Sequence, residues 1–152
     1  MKLEPNKGIP RHIILLMSAM AGLTVANLYY VQPLLEMIRT DLGTNDSLAN
    51  MIAVVTQVGY ALGLLLIVPT GDLFSRRKII VVCMTLATLL TFTIGLSSNI
   101  YTIWAASLAM GACSIVPQLF IPVAGQFSKP ENKSRNMGFV ISGLLIGILA
   151  AR

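Results

Sequence analysis

The chain has 152 residues, of which 55% are hydrophobic and only 11% charged, and its formal net charge is +5. A soluble domain carries about 25% charged residues because it must meet water with a polar surface. A water-facing fold is therefore excluded, and lipid is the solvent that this composition suits.

The first apolar run, Ile13 to Leu35, holds 23 residues without a charge. A spanning helix needs about 20 apolar residues to cross a hydrocarbon core of about 30 Å, so a helix is predicted at 13–37. The residues before it, 1–12, form a short basic N-terminus. Lys2, Lys7, Arg11 and the triplet Ala19-Met20-Ala21 imitate a secretory signal. The apolar stretch ahead of that triplet is only Ile13 to Ser18, too short for such a segment, and hydrophobicity continues past it. Within this helix Thr24, Asn27 and Tyr30 recur at three-residue spacing and share one side. Pro33 follows and leaves the Tyr29 carbonyl without a helical donor.

The second run, Ser47 to Gly71, predicts a helix at 47–71 that carries Gln57 and Tyr60. The third run, Ile79 to Ser128, has 50 residues and would measure about 75 Å as one helix. It must fold back, and Ser97-Ser98-Asn99 is its only polar cluster, so helices are predicted at 79–96 and 100–126. The second of these places Gly111, Ser114, Gln118, Pro122 and Gly125 on one face. Pro117 and Pro122 free the carbonyls of Cys113 and Gln118. The last run, Asn136 to Ala151, spans only about 24 Å as a helix. A fifth helix is expected at 136–152, cut off before it finishes.

Nine basic residues fall on one side of these spans: Lys2, Lys7, Arg11, Arg76, Arg77, Lys78, Lys129, Lys133 and Arg135. The opposite loops hold only Arg39, against Asp41 and Asp46. This is a positive-inside pattern with a cytoplasmic N-terminus. It assigns the excess charge to topology, so nucleic acid is not an expected partner. Tyr101 and Trp104 lie where an outer aromatic belt would anchor the fourth helix. The fold class is thus an all-α membrane protein, a polytopic bundle of about five transmembrane helices.

Polar groups and freed carbonyls at membrane depth must find protein or water. Asn27, Tyr30, Gln57, Tyr60 and Gln118 are therefore candidates for lining a solute cavity. The alternative is that they bond helix to helix, at about 0.6 kcal/mol each. Small residues recur at four-residue spacing, as Ser18 and Gly22, Gly59 and Gly63, Ser107 and Gly111, and Gly143 and Gly147, a pattern that lets helices approach closely. Cys83 and Cys113 lie unpaired inside apolar runs, and His12 is the single histidine, so neither a disulfide framework nor a metal site is expected. No cofactor and no enzymatic activity are implied, since there is no HExxH and no nucleophile–histidine pair.

The segment Val68-Pro69-Thr70-Gly71-Asp72-Leu73-Phe74-Ser75-Arg76-Arg77-Lys78 resembles the loop between helices 2 and 3 of the major facilitator superfamily, G-x-L-a-D-R-x-G-R-R. Its acidic position falls on Asp72 and its last two basic positions on Arg76 and Arg77. Val68, Leu73 and Ser75 replace two glycines and an arginine. Asn27-Leu28-Tyr29-Tyr30-Val31-Gln32-Pro33-Leu34 is similar to helix 1 of bacterial drug and sugar efflux members. The helix 4 arginine of the family is replaced by Ser107, and the proline of its helix 5 antiporter pattern by Ile148.

The resemblance implies the first part of a six-helix N-terminal half, in a carrier that moves a small solute by alternating access. Asp72, Arg76 and Arg77 would be the conformational-gating charges. The lipid bilayer of the cell inner membrane, the solute and a missing C-terminal half would be its partners. On this reading the 152 residues are a fragment of an efflux carrier that is inactive alone. A membrane scaffold that associates through its glycine faces is the alternative.

Overall fold

Lipid offers no hydrogen bond to a free peptide group, so an apolar chain of this kind satisfies its backbone inside helices. The computed structural model describes residues 8–151, with the backbone alone at 31–34 and 72, and every regular element among the described residues is helical. The α-helices are α1 (Arg11–Tyr29), α2 (Val31–Leu42), α3 (Asp46–Leu73), α4 (Arg76–Leu96), α5 (Ile100–Cys113), α6 (Val116–Phe127) and α7 (Lys133–Ala150). A 3-10 turn, Pro130–Asn132, precedes α7. Four stretches, Arg11–Tyr29, Asp46–Gly71, Arg76–Leu96 and Ile100–Phe127, are long and apolar enough to cross a membrane. The fifth run forms α7, whose first turn carries Lys133 and Arg135 and leaves fewer apolar residues behind it.

Two predicted helices are each divided, and proline explains both breaks. The helix expected at 13–37 is interrupted at Tyr30, and the one at 100–126 at Ser114 and Ile115. In each case the first piece ends on the residue four before a proline: Tyr29 before Pro33 and Cys113 before Pro117. Proline cannot donate to that carbonyl and its ring crowds it. Pro69 and Pro122 lie inside α3 and α6 without ending them.

Where a turn was expected at Ser97-Ser98-Asn99, the chain leaves helical geometry, and the Asn99 side chain accepts from the Tyr101 amide at 2.9 Å to cap α5. Helical geometry runs past the expected end at 71 and begins again before 79, so only Phe74 and Ser75 lie between α3 and α4. Continuing the helices meets the need for internal hydrogen bonds that an extended loop would not.

The chain divides into two compact units, one of the described residues up to Ala26 with Val116–Ala151, the other of Asn27–Ile115. In the first, Ile14 and Ala21 of α1 pack with Ala124 of α6 and Val140 of α7. A glycine seam joins α1 to α7. A Cβ on Gly22 would stand 2.7 Å from the Gly143 carbonyl oxygen, and one on Gly147 would overlap the carbonyl oxygen of Gly22. Ser18 completes the seam by donating to the Phe139 carbonyl at 2.8 Å.

In the second unit, α3 and α5 meet through a matching seam. A Cβ on Gly59 would overlap the Leu108 carbonyl oxygen, one on Gly63 that of Ala112, and one on Gly111 that of Thr56. The four small-residue pairs of the sequence thus pair with each other, two per unit. Ile52 and Ile103 are buried nearby, with Trp104 packed against them. Trp104 also donates from Nε1 to the Leu48 carbonyl at 3.1 Å, so it fastens α5 to α3, while Tyr101 stays exposed as an anchoring residue would. At the α2–α3 corner Gly43 takes a left-handed φ of 59°, and Arg39 pairs with Glu36 and, at 3.3 Å, with Asp46.

Apolar side chains cover much of the outer surface. On α4, Val81, Val82, Leu86, Leu89, Phe92 and Leu96 are exposed. Water would penalise such a face at about 25 cal/mol per Å², whereas lipid accepts it.

Candidate functional site

Two groups of sequence candidates take shape. The first is the junction of α3 and α4. Asp72 lies in the last turn of α3, its side chain outside the described residues, and Arg76, Arg77 and Lys78 open α4. Phe74 N–H donates to the Thr70 carbonyl at 2.8 Å and closes α3. Arg76 is half-buried and its Nε donates to the Gly71 carbonyl at 3.4 Å, so the guanidinium folds back over the negative end of α3. Arg77 and Lys78 are exposed. Three cations at the positive end of α4 oppose its dipole. The α4 dipole does not favour them, and Arg76 is drawn instead to the negative end of α3.

The second group is polar and interior. Asn27 is half-buried; its Nδ2 donates to Thr91 Oγ1 at 3.4 Å and approaches Met110 Sδ at 3.9 Å. Thr91 in turn donates its hydroxyl to the Ala87 carbonyl at 2.8 Å. This short relay joins α1, α4 and α5, and no described residue donates to the Asn27 side-chain oxygen. Thr24, by contrast, bonds the Met20 carbonyl of its own helix at 2.8 Å.

Tyr30 is exposed at the α1–α2 break, Gln57 is exposed on α3, and Tyr60 is half-buried. These three share the second unit with Asn27, whereas the half-buried Gln118 belongs to the first. Thr91 and Met110 were not read from the sequence. Thr91 looks like Thr85, Thr88 and Thr93, each bonded to the carbonyl four residues back, and Met110 looks like core. Ser107, where the family pattern has arginine, is fully buried, and its hydroxyl meets no partner among the described residues. Also among these residues, no group of histidine, cysteine and acidic side chains could hold a metal.

Lining residues should react with water-borne reagents. In a chain whose Cys83 and Cys113 are replaced by alanine, Asn27→Cys and Gln118→Cys are expected to be labelled by a small aqueous thiol reagent. Inert thiols there would assign both residues to helix packing instead.

The spanning helices, the outward apolar faces and the charged ends of α3 and α4 define a polytopic α-helical membrane protein. Residues 14–152 match the Major Facilitator Superfamily, and the chain belongs to that family. It is 40% identical to the Uncharacterized transporter YgaY of Escherichia coli O157:H7 over 150 residues, 98% of this chain and 38% of the relative. It is 33% identical to a Streptomyces coelicolor protein named "Probable transporter SCO4007", over 97% of this chain and 34% of that one. It is 29% identical to the Inner membrane transport protein YnfM of Escherichia coli K12, over 98% of this chain and 37% of that one. The chain therefore spans less than two-fifths of the length of these relatives. They are named as transporters, which agrees with a non-enzymatic role. No solved structure matches.

Proposed function

We propose that these residues build the opening helices of the six-helix N-terminal half of a secondary carrier. Such a carrier moves a small solute by alternating access, outward, across the cell inner membrane. The observation that carries this reading is the two-residue link between α3 and α4. It sets the acid and both arginines of the family pattern on the abutting ends of two spans.

The electrostatics support the role. An acid at the last turn of α3 and cations at the first turn of α4 are each unfavourable to their own helix. Set on the ends of two spans, such charges can also meet groups on another body, here the C-terminal half. The nine basic residues on alternate ends favour a cytoplasmic N-terminus, with Asp72, Arg76 and Arg77 on the inner side. Asn27 is the best placed of the cavity candidates, because no donor among the described residues takes its side-chain oxygen. The proline-made breaks beside Tyr29 and Cys113 free further carbonyls for the same use. What favours this over a scaffold acting through glycine faces is that those faces are occupied within each unit.

The test extends the chain to the length of its relatives and follows labelled solutes in cells. Cells with the extended chain should accumulate less of at least one solute, and cells with the 152 residues alone should match the empty control. An impermeant amine reagent should spare Lys78 and Lys133 from outside. Labelling of those lysines from the exterior, or no change in any solute, would overturn the proposal.

A further inference from the structure

The cavity at the start of α1 and α7 lies within one unit and has no part in the solute path described above. It has a volume of about 300 Å³, and Arg11, Arg135, Asn132, Asn136, Leu15 and Phe139 are among its lining residues. Among the described residues, no acidic side chain lines it. Arg11 is the first residue of α1 and Arg135 the third of α7, so two helix N-termini, with their partial positive charge, open here.

The two helices carry the same pattern. Each arginine is followed four residues later by an exposed apolar side chain, Leu15 after Arg11 and Phe139 after Arg135. Four residues is one helical turn, so each helix presents a cation at its end and an apolar group directly along the axis toward the hydrocarbon. The Arg135 guanidinium is held over the Phe139 ring, 5.7 Å from its centroid. Asn136 donates to Ser128 at 2.7 Å and is thereby fixed at the rim.

We infer that this cavity binds the headgroup of an anionic phospholipid, with the phosphate between Arg11 and Arg135 and an acyl chain along Leu15 and Phe139. Charge complementarity selects the ligand. Two guanidinium forks match a phosphate diester, and a described lining with two cations and no carboxylate disfavours a choline or ethanolamine cation. The apolar residues one turn deeper select a lipid over a free phosphate, which has nothing to place against them. The site rests on the membrane placement of α1 and α7 but not on any transport activity.

The full 152-residue chain, purified in a mild detergent, should retain phosphatidylglycerol in native mass spectrometry and retain phosphatidylcholine about tenfold less. The double substitution Arg11→Gln with Arg135→Gln should lower phosphatidylglycerol retention by about tenfold or more, with unchanged helicity by circular dichroism. Asn132→Asp leaves both arginines in place and adds an anion to the cavity, so it should lower retention in the same direction even if the double variant fails to fold. Equal retention of the two lipids, wild-type retention by Asn132→Asp, or displacement of the lipid by inorganic phosphate would overturn the proposal. Absence of any retained phosphatidylglycerol would do so too, leaving the cavity to an acidic protein segment. Because the readout is lipid mass, a carrier without transport activity would leave this result untouched.

Discussion

Replacing Gly111 by leucine is expected to cost the chain about 3 kcal/mol or more, enough to remove most folded protein from the membrane. Even a Cβ at this position would overlap the Thr56 carbonyl oxygen and stand 3.0 Å from the Tyr60 amide nitrogen. Neither can yield, because both belong to the backbone of α3. Relief would require the two helices to separate, which would empty the packing around Ile52 and Ile103. Membrane helices gain little from hydrophobicity when they associate and depend on close packing, so that loss is not made up elsewhere.

The measurement is the thermal unfolding midpoint in detergent together with the amount of protein in the membrane fraction. Gly95→Leu is the control, since a Cβ at Gly95 meets nothing within 4 Å. Leucine also forms helix more readily than glycine, by under 1 kcal/mol, so Gly95→Leu should be neutral or slightly stabilising. Equal behaviour of the two variants would refute the packing account.

The second large effect concerns Asp72. In a chain of the relatives' length, Asp72→Asn is expected to slow transport by about tenfold or more while its abundance in the membrane is unchanged. The helix dipole makes the two readouts separable. Asp72 lies in the last turn of α3, where the partial charge is negative. Against that dipole alone the charge costs α3 about 0.3–1 kcal/mol, so the helix end itself does not require it. Unchanged abundance in the membrane is what separates a fall in transport from unfolding. Wild-type transport rates in this variant would remove Asp72 from the gating role. Arg77→Gln offers a companion, because Arg77 is exposed and its loss should leave the fold equally intact.

Counting uncharged residues located the spans well, because crossing lipid imposes a length and a composition that a sequence states openly. The edges were less legible. Pro33 and Pro117 were visible, and so were the carbonyls they deprive, but not whether the helix would continue past them as it does at Pro69 and Pro122. That outcome depends on neighbouring packing rather than on the proline itself. The two helix ends flanking 72–78 fall short in the sequence reading because charges mark their limits there, whereas the backbone stays helical through Leu73 and again from Arg76.

Spacing also named the small faces without naming their partners. Ser18 and Gly22 could have met any of the three other small-residue pairs, and a periodicity specifies a side of a helix and no more. The Asn27 relay was the least legible element. Its acceptor, Thr91, lies 64 residues away among similar threonines, and Met110 carries no polar signature at all.

The two glycine seams also bear on how sequences of this family can drift. Their contacts run through carbonyl oxygens, atoms that every amino acid brings, so the fit is set by what is missing at positions 22, 59, 63, 111, 143 and 147. Homologues should thus be free to exchange nearly all of their bilayer-facing side chains while bulk stays barred at these six places. A relative with a large residue at one of them should hold the two helices of that seam farther apart.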